Sequence, residues 1–423
     1  MKVLVIGSGG REHALVKGLS EAKSVKKVFV SPGNAGMQEH AKVMALNIKD
    51  HKKVVEFCLV NSVSYVFIGP EDALVDGLAD SLRAEKIRVV GPSKQASQLE
   101  GSKIFAKKFM NKAGVTTAAA DIVNSVQSTM MAAQNHQAPY ILKAEGLSAG
   151  KGVFICKTLD QLKIAAENLF EKKILAEAGK RALLEKNLSG YELSFLVFTN
   201  GVTYQALPMA QDHKRLLTGD LGPNTGGMGT VAPLKVTNSI EQKILRKIID
   251  PTLEQMKADK LLFRGILFVG IMVVDGEPYA LEYNVRFGDP EAQVILPLIR
   301  GDLGKIFFQL ASGFVEPLHF FDKSVFCIVN AAPGYPDQVQ KNIPLNLPAN
   351  EKEAYILHAA TMKNHEGKLV SNGGRVLNVV AIDENFEKAK AKAYALNDKI
   401  QFEGRQFRTD LGATSSSAGT PLT

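Results

Sequence analysis

The sequence contains no tryptophan and only three widely separated cysteines, Cys58, Cys156 and Cys327. This spacing offers neither a disulfide framework nor paired ligands for a zinc site, and it is typical of a reducing cytoplasm. No apolar run approaches the roughly 18 residues of a transmembrane helix. An apolar strand pattern begins at once, at residues 3–6, without the charged segment and long apolar stretch of a secretory signal. We therefore expect a cytoplasmic protein with no membrane partner.

The net charge is +8, but the basic residues are spread along the chain instead of forming a patch. A diffuse charge of this kind favours anionic small substrates, or solubility alone, and argues against a nucleic-acid partner. Apolar residues make up 45% and charged residues 22%, which is ordinary for a globular protein. A length of 423 residues corresponds to roughly three domains.

The first hundred residues alternate short apolar runs with helical patterns, and glycine or proline follows nearly every run. Strands that alternate with helices in this way predict a parallel, doubly wound sheet whose ligands bind beyond the carboxyl ends of the strands. The predicted strands are residues 3–6, 28–30, 65–68 and 89–90.

The rest of the chain predicts α/β and α+β units with further strands and helices. Residues 101–112 form a lysine-rich helix, and Asp275-Gly276 joins two strands as a hairpin turn. The low-complexity tail, residues 413–423, is predicted to be disordered. The expected domains are residues 1–120, 121–187, 188–325 and 326–423. The other predicted strands are residues 140–143, 153–156, 194–198, 266–274, 279–285, 326–330 and 376–382, and the other helices are residues 159–170 and 386–397.

The segment LEYNVRFGDPE, residues 281–291, carries the most informative pattern. In a strand, Leu281, Tyr283 and Val285 point into a core. The opposite face then carries Glu282, Asn284 and Arg286, a row that suits a magnesium ion holding phosphate beside a cation for a second anion. The alternative is an edge strand with a solvated polar face, since alternation is common in strands.

GSGGREHA, residues 7–14, follows the first strand and opens a helix, as a dinucleotide fingerprint does. The fingerprint, however, requires glycine where this chain has Glu12, and an acid at the end of the second strand where it has Ser31. The remaining glycine turn predicts a monophosphate site in which backbone N–H groups and Arg11 hold the anion. The alternative is a purely structural tight turn.

LKAEGLSAGKGV, residues 142–153, places Lys151 between Gly150 and Gly152, after a strand that ends at Lys143. A flexible glycine loop with a lysine is able to close over nucleotide phosphates. It is not a P-loop, because Gly-Lys-Gly here runs into a strand instead of opening a helix. The alternative is a surface hairpin with loose glycines.

Two further segments carry polar residues that suit binding. Glu185, Asn187 and Glu192 border a predicted hinge and are placed to hold adenine and ribose, although acids at strand ends are common. Residues 222–229 contain four glycines, a costly backbone unless something approaches it closely. We interpret the nearby His213 as a loop residue. No Ser/His/Asp or Cys/His set supports covalent nucleophilic catalysis.

Taken in order, these segments resemble the glycinamide ribonucleotide synthetase (phosphoribosylamine–glycine ligase) family of the ATP-grasp superfamily. The resemblance implies a multidomain fold: an N-terminal doubly wound parallel sheet, a central two-part ATP-grasp unit and a small C-terminal α/β domain. It also implies ligation of glycine to 5-phosphoribosylamine with ATP, through glycyl phosphate, in purine biosynthesis. The motifs that carry it are GSGGREHA, SPGNAG, GPEDALV, QLEGSKIFAKKFM, LKAEGLSAGKGV, QDHKR, GPNTGGMG, LEYNVRFGDPE, SNGGRVL and FRTDLG.

The same resemblance implies roles for individual residues. Glu282 and Asn284 match ligands of Mg²⁺ or Mn²⁺, and Arg286 would orient a substrate anion or the acyl phosphate. ATP would be bound by Lys103, Lys143, Gly150, Lys151, Gly152, Glu185, Asn187 and Glu192. The catalytic acceptor side would include Asp212 and Lys214. The substrates would contact Gly10, Arg11, Glu71, Asn224, Thr225, Gly226, Gly227 and Asp289.

The chain departs from the family pattern at a few positions: Thr218, Leu221, Val231, Ala232 and Ala292. None of them is a proposed ligand. Alternatives are another ATP-grasp carboxylate–amine ligase with a different substrate pair, and a nucleotide-sensing protein that has lost its chemistry. The second would be expected to lose Glu282, Asn284 or Arg286, and all three are present. We expect a monomer in transient contact with the enzyme that supplies phosphoribosylamine.

Overall fold

The computed structural model describes residues 1–148 and 150–412, so the predicted disordered tail lies outside the described residues. The N-terminal sheet is parallel, as predicted, and has five strands in the order β3-β2-β1-β4-β5, of which β3 was not predicted. Its central strands are buried on both faces, because helices cover a parallel sheet on both sides. The strands are β1 (Lys2–Gly7), β2 (Lys27–Pro32), β3 (Lys42–Val43), β4 (Tyr65–Ile68) and β5 (Val89–Val90).

Thirteen α-helices lie within the described residues. The predicted helix at residues 101–112 is divided at Ser102, whose side chain accepts a hydrogen bond from the Phe105 N–H and so starts a new helix. The predicted helix at residues 159–170 continues beyond its α-helical part as a π-helical turn, Glu167–Glu171. The helices are α1 (Gly10–Glu21), α2 (His51–Val60), α3 (Glu71–Asp76), α4 (Leu78–Ala84), α5 (Gln98–Gly101), α6 (Lys103–Ala113), α7 (Val126–Ala132), α8 (Leu159–Ala166), α9 (Asn238–Ile244), α10 (Asp250–Ala258), α11 (Glu291–Ile295), α12 (Leu303–Ser312) and α13 (Phe386–Asn397).

A small four-stranded antiparallel sheet, in the order β6-β9-β7-β8, forms the unit that we call the lid. The glycine loop connects β7 to β8, which pair as an antiparallel hairpin. These two strands correspond to the predicted strands at residues 140–143 and 153–156. The lid has its own apolar core, which includes Leu142, Leu162 and Leu184. Its strands are β6 (Ala120–Val123), β7 (Tyr140–Ala144), β8 (Val153–Cys156) and β9 (Ala182–Glu185).

The central part of the chain contributes eight strands, four of which form an antiparallel sheet in the order β11-β10-β16-β17. Asp275 and Gly276 both have positive φ, 51° and 74°, which confirms the predicted hairpin turn between β16 and β17. The eight strands are β10 (Tyr191–Thr199), β11 (Tyr204–Ala206), β12 (Gln211–Asp212), β13 (Arg215–Leu217), β14 (Leu221–Asn224), β15 (Gly229–Ala232), β16 (Gly265–Val274) and β17 (Glu277–Asn284).

Strand β17 contains a bulge that corrects one expectation. Gly270 pairs with Glu282 and Ile271 pairs with Ala280, so Leu281 is the extra residue, and it is only half-buried. A bulge of this kind shifts the alternation of side chains along the strand. Tyr283 and Val285 beyond the bulge are buried as predicted, whereas Leu281 is not.

The C-terminal sheet has the order β12-β15-β20-β24-β21 and therefore includes two strands from the central part of the chain. The domain boundary expected between residues 325 and 326 falls within β20, and two other strands of the same sheet lie before it. No helix of the described residues is long and apolar enough to cross a membrane. The remaining strands are β18 (Ile299–Arg300), β19 (His319–Phe320), β20 (Ser324–Ala331), β21 (Ala354–His358), β22 (Thr361–Lys363), β23 (Leu369–Ser371) and β24 (Arg375–Asp383).

Candidate functional site

A buried ion-pair network connects the lid to α6. Glu185, at the end of β9, lies 2.6 Å from Lys143 Nζ and 3.0 Å from Lys107 Nζ. Burial alone would raise the Glu185 pKa, but the two lysines outweigh it and hold the pKa below its ordinary value. The Glu185 carboxylate is therefore paired with two lysines, and its predicted contact with adenosine stays a prediction. Sequence reasoning missed Lys107, although its position four residues after Lys103 on one helix face pointed to it.

The glycine loop lies next to this network. Lys103 Nζ donates to the Gly146 carbonyl over 3.3 Å, so α6 contacts the base of the loop. Burial lowers the Lys103 pKa, and the opposing effect of Glu282 places that carboxylate nearby. Lys151 is exposed at the loop tip, beside Gly150 with φ +80°. The structure thus brings the predicted phosphate contacts Lys103 and Lys143 together. The side chain of Lys151 is exposed to solvent.

The polar face of β17 meets these lysines. Burial would raise the Glu282 pKa, but Lys214, Lys143 and Lys103 together lower it, so the carboxylate is ionised among cations. Asn284 Nδ2 donates to the Tyr283 carbonyl over 2.8 Å, which leaves its Oδ1 available as a ligand. A polar face against three lysines contradicts the alternative of a solvated edge.

Glu282 and Asn284 supply two oxygen donors of the kind that a hard divalent cation prefers. No cluster of three His, Cys, Asp or Glu side chains among the described residues could form a cage around a metal. The donor set therefore fits an ion that takes its remaining ligands from water and substrate phosphates. Such an ion would also offset the charge of nucleotide phosphates beside Lys103 and Lys143.

Arg286 is held on three sides. Its Nη2 lies 2.6 Å from Glu100, its Nε lies 3.2 Å from Glu71, and its Nη1 donates to the Phe287 carbonyl over 3.0 Å. Burial raises the pKa of Glu100 to about 7, although Arg286 opposes this. The Arg286 guanidinium is thus a fixed cation just beyond the end of β17. Glu71, predicted in the phosphoribosylamine pocket, contacts it, and Glu100 was not identified from the sequence.

The glycine turn at the start of α1 is filled by its own side chains. Glu12 Oε2 accepts from the Gly9 N–H over 2.7 Å, and Glu12 Oε1 lies 2.5 Å from Arg11 Nε. Arg11 Nη1 donates to the Phe287 carbonyl over 2.9 Å, and only 6% of the residue is exposed. The predicted role of Arg11 as a phosphate contact stays a prediction, but this geometry pairs both the Gly9 N–H and the Arg11 side chain within the protein. It matches the structural-turn alternative.

The Arg11 backbone N–H group, in the first turn of α1, also has a hydrogen-bond partner within the protein. Arg11 N donates to Asp289 Oδ2 over 3.3 Å, and Asp289 Oδ1 accepts from Gln293 over 2.7 Å. Gly10 packs directly against Gln293 and Asn378. Residues Gly10, Arg11 and Asp289 are therefore together, as predicted, but as a packed junction between α1 and the turn after β17.

The acceptor loop, which we define as residues 224–227, lies over Asp212 and Lys214. Thr225 N and Oγ1 both donate to the Lys214 carbonyl, over 2.7 and 2.8 Å. Gly227 has φ +115°, and a Cβ there would lie 2.6 Å from Asp212 Oδ1, so only glycine permits this approach. Burial and the nearby Glu291 raise the Asp212 pKa well above its ordinary value.

Lys214 connects the acceptor loop to the start of β10. Its Nζ lies 3.0 Å from Glu192, and this carboxylate raises the Lys214 pKa. Asn187 is half-buried between β9 and β10, on the way to Glu192. His213 is buried and accepts from the Gly412 N–H over 3.2 Å, and burial lowers its pKa. His213 thus belongs to the loop framework, as we interpreted it.

Comparison with known protein families accounts for nearly the whole chain. Residues 1–100 match the phosphoribosylglycinamide synthetase N domain, residues 101–292 match its ATP-grasp (A) domain, and residues 325–414 match its C domain. A phosphoribosylamine–glycine ligase of Agrobacterium fabrum is 41% identical over 97% of this chain and 98% of its own length. One from Caldanaerobacter subterraneus is 36% identical over 98% of this chain and 100% of its own.

Solved structures agree with this match. The crystal structure of phosphoribosylamine–glycine ligase from Thermotoga maritima has a TM-score of 0.86 and 34% identity, covering 97% of this chain and 100% of that one. The biotin carboxylase domain of Hydrogenobacter thermophilus 2-oxoglutarate carboxylase has a TM-score of 0.73 over 96% of this chain and 91% of that one; at 18% identity it shows a shared fold alone. The chain belongs to the phosphoribosylglycinamide synthetase family.

Proposed function

We propose that this protein joins glycine to 5-phosphoribosylamine at the expense of ATP, giving glycinamide ribonucleotide, ADP and phosphate in purine biosynthesis. As a member of its family, the chain is an ATP-grasp ligase that forms a C–N bond. The observation that carries the assignment to a working enzyme is the position of Glu282, two residues before Asn284, among Lys103 of α6, Lys143 of the lid and Lys214 between β12 and β13. A protein that only senses nucleotides has no need of this arrangement.

In the proposed first step, the glycine carboxylate attacks the γ-phosphate of ATP to give glycyl phosphate and ADP. Lys103 and Lys143 neutralise the phosphate oxygens, and Arg286, fixed by Glu71 and Glu100, provides a stationary cation beside them. Catalysis of this kind is largely positioning and charge neutralisation. Glu282 and Asn284 would hold Mg²⁺ or Mn²⁺, which when bound would further neutralise the charge of the phosphates.

In the second step, the amine of phosphoribosylamine attacks the acyl carbon and phosphate leaves. The acceptor loop holds the substrates above Asp212, whose raised pKa suits it to accept the proton that the amine must lose. Lys214, paired with Glu192, links this half of the site to the nucleotide half. The glycine loop between β7 and β8, residues 145–152, is called the lid loop from here on. It excludes water from the acyl phosphate when it closes over ATP.

ADP release, measured with glycine plus freshly made phosphoribosylamine, tests the substrate pair. We expect strong stimulation by the pair and little with glycine alone or with other amino acids. Stimulation by a different acid and amine would instead support another ATP-grasp ligase, and no stimulation by the pair would defeat the proposal.

The metal assignment has its own test. Glu282→Gln or Asn284→Ala should lower the rate of ADP formation about 10²–10³-fold, because each removes a group that acts on developing charge. Glu277→Gln on the same strand is the matched control, since Glu277 pairs with Lys243 and Lys247 on the surface. Unchanged turnover of Glu282→Gln at saturating magnesium would refute the metal role.

A further inference from the structure

The acceptor loop is built onto the C-terminal sheet. Strand β12 precedes the loop and β15 follows it, and β15 pairs with β20 of the C-terminal part. The Met228 carbonyl, directly after the loop, accepts from Val329 N over 3.0 Å. The geometry of the loop therefore depends on residues more than a hundred positions away in sequence.

Two side chains of the C-terminal part hold the backbone of Gly226. Arg375 Nη1 donates to the Gly226 carbonyl over 2.6 Å, and Tyr335 Oη accepts from the Gly226 N–H over 3.0 Å. The guanidinium also covers this residue, since a Cβ at Gly226 would lie 3.0 Å from Arg375 Cζ. Both peptide groups that flank Gly226 are thus fixed by Arg375 and Tyr335.

Arg375 also connects the acceptor loop to the turn after β17. Arg375 Nη1 donates to the Asp289 carbonyl over 2.5 Å and lies 3.7 Å from Asp289 Oδ1. On the other side of the loop, a Cβ at Gly227 would lie 2.6 Å from both Asp212 Oδ1 and Pro290 Cδ. The loop is therefore enclosed between Arg375 above and the Asp212 carboxylate below.

We propose that Arg375 and Tyr335 are positioning residues that set the acceptor loop over Asp212, so that the C-terminal domain completes the substrate half of the site. This inference rests on the proposed function. A guanidinium that bridges two backbone carbonyls holds them at a fixed separation, and a displacement of about 1 Å at a reacting group lowers the rate by around 10²-fold. The nucleotide half of the site contains neither residue.

The test compares Arg375→Met and Arg375→Lys in the full chain. Arg375→Met should lower kcat/KM for phosphoribosylamine about 10–100-fold, while the KM for ATP stays within about twofold. Arg375→Lys retains one donor and should recover part of the loss. Tyr335→Phe should have a smaller effect in the same direction, because it removes one hydrogen bond and keeps the ring.

Matched controls separate positioning from stability. Arg405→Met removes an arginine of the same domain that donates to the Asn397 carbonyl, and Tyr394→Phe removes a hydroxyl that accepts from Leu411 N. Both control variants should leave the KM for ATP and the KM for phosphoribosylamine unchanged, even where they lose as much thermal stability as Arg375→Met.

Three outcomes decide the matter. A selective change in kcat/KM for phosphoribosylamine in Arg375→Met, partly recovered in Arg375→Lys, supports the inference. Kinetic constants in Arg375→Met that are unchanged, or that worsen equally for ATP and phosphoribosylamine, overturn it. An inactive wild-type chain with glycine and phosphoribosylamine defeats the proposed function instead, so the two failures are distinguishable.

Discussion

Two glycine-rich segments of this protein look alike in sequence and differ in structure. In the N-terminal turn, a Cβ at Gly7 would lie within 2.5 Å of Glu12 Cδ, and one at Gly10 would lie 2.7 Å from Gln293 Nε2. In the lid loop, a Cβ at Gly150 would meet no atom of the described residues within 4 Å. The first segment is packed by the protein's own side chains, and the tip of the second is open.

The difference shows that glycine marks a close approach to the backbone without revealing what makes that approach. At the N-terminal turn it is the Glu12 carboxylate, which takes the Gly9 N–H that an anionic ligand would use. At the base of the lid loop, Gly146 packs on Ala178 and Gly152 packs on Ser148. The loop is therefore packed at both ends, whereas Gly150 is open.

Gly7→Ala should have the largest effect on stability. A Cβ there overlaps the Glu12 side chain, and φ +129° strains any residue other than glycine. Overpacking and backbone strain each cost about 1–3 kcal/mol, so the urea midpoint should fall clearly. A midpoint equal to that of wild type would show that Glu12 can leave the turn, and the two glycine segments would then no longer differ.

Lys151→Gln should affect function and spare stability. The side chain is exposed at the open tip, and loss of a charge-assisted contact to a phosphate costs about 1.5–3 kcal/mol. The KM for ATP should therefore rise about 10–100-fold, with an unchanged unfolding midpoint. Lys157→Gln, also exposed in the lid, is the control. Equal KM values for the two variants would mean that the loop tip does not reach ATP.

The packed turn should weaken as the pH falls. His13 of α1 lies between His40 and His358, with ring centroids 5.8 and 5.7 Å away, and burial lowers all three pKa values, that of His358 to about 4. Between about pH 4 and 6.5 the unfolded chain binds more protons, so stability rises with pH.

For His358 we expect a loss of about 1.5–2 kcal/mol between pH 6.5 and 5, since one pKa unit corresponds to about 1.36 kcal/mol. Urea unfolding of His358→Gln should show a flatter pH dependence than wild type. His365→Gln, whose side chain is exposed, is the control. An equally steep profile in His358→Gln would exclude this contribution.

Gly150→Ala should have the smaller effect on stability of the two glycine substitutions. Only the backbone conformation, φ +80°, opposes the substitution, and this costs about 1–2 kcal/mol. The unfolding midpoint should therefore fall less than in Gly7→Ala. A larger fall than in Gly7→Ala would contradict the contrast between the open tip and the packed turn.

Local elements were largely predictable. The helix at residues 386–397 and the strands at residues 65–68, 89–90 and 153–156 have the predicted bounds, because periodicity, caps and turn residues are properties of neighbouring positions. The bulge at Leu281 was not predicted, since it depends on the pairing with β16. The division of the helix at Ser102 was missed even though a serine cap is a local feature.

For the candidate site, residue types were predictable and partners were not. The row Glu282, Asn284 and Arg286 follows from strand periodicity and from motifs within a few residues. Glu100 and Lys107 were missed, because each acts through a partner about 80 to 190 positions away. The pairing of Arg11 was missed for the same reason, since its distant partner is the Phe287 carbonyl.

By itself, the sequence determined the family, the order of its domains and the polar face of β17, because motifs and short-range periodicity record these directly. Only the tertiary structure decided that Glu12 fills the first glycine turn, that Lys107 and Lys143 share Glu185, and that Arg375 holds the acceptor loop. Each of these depends on burial and charge brought together by distant segments. Pairing between such segments is set by the packing of the whole chain and leaves no periodic trace along it.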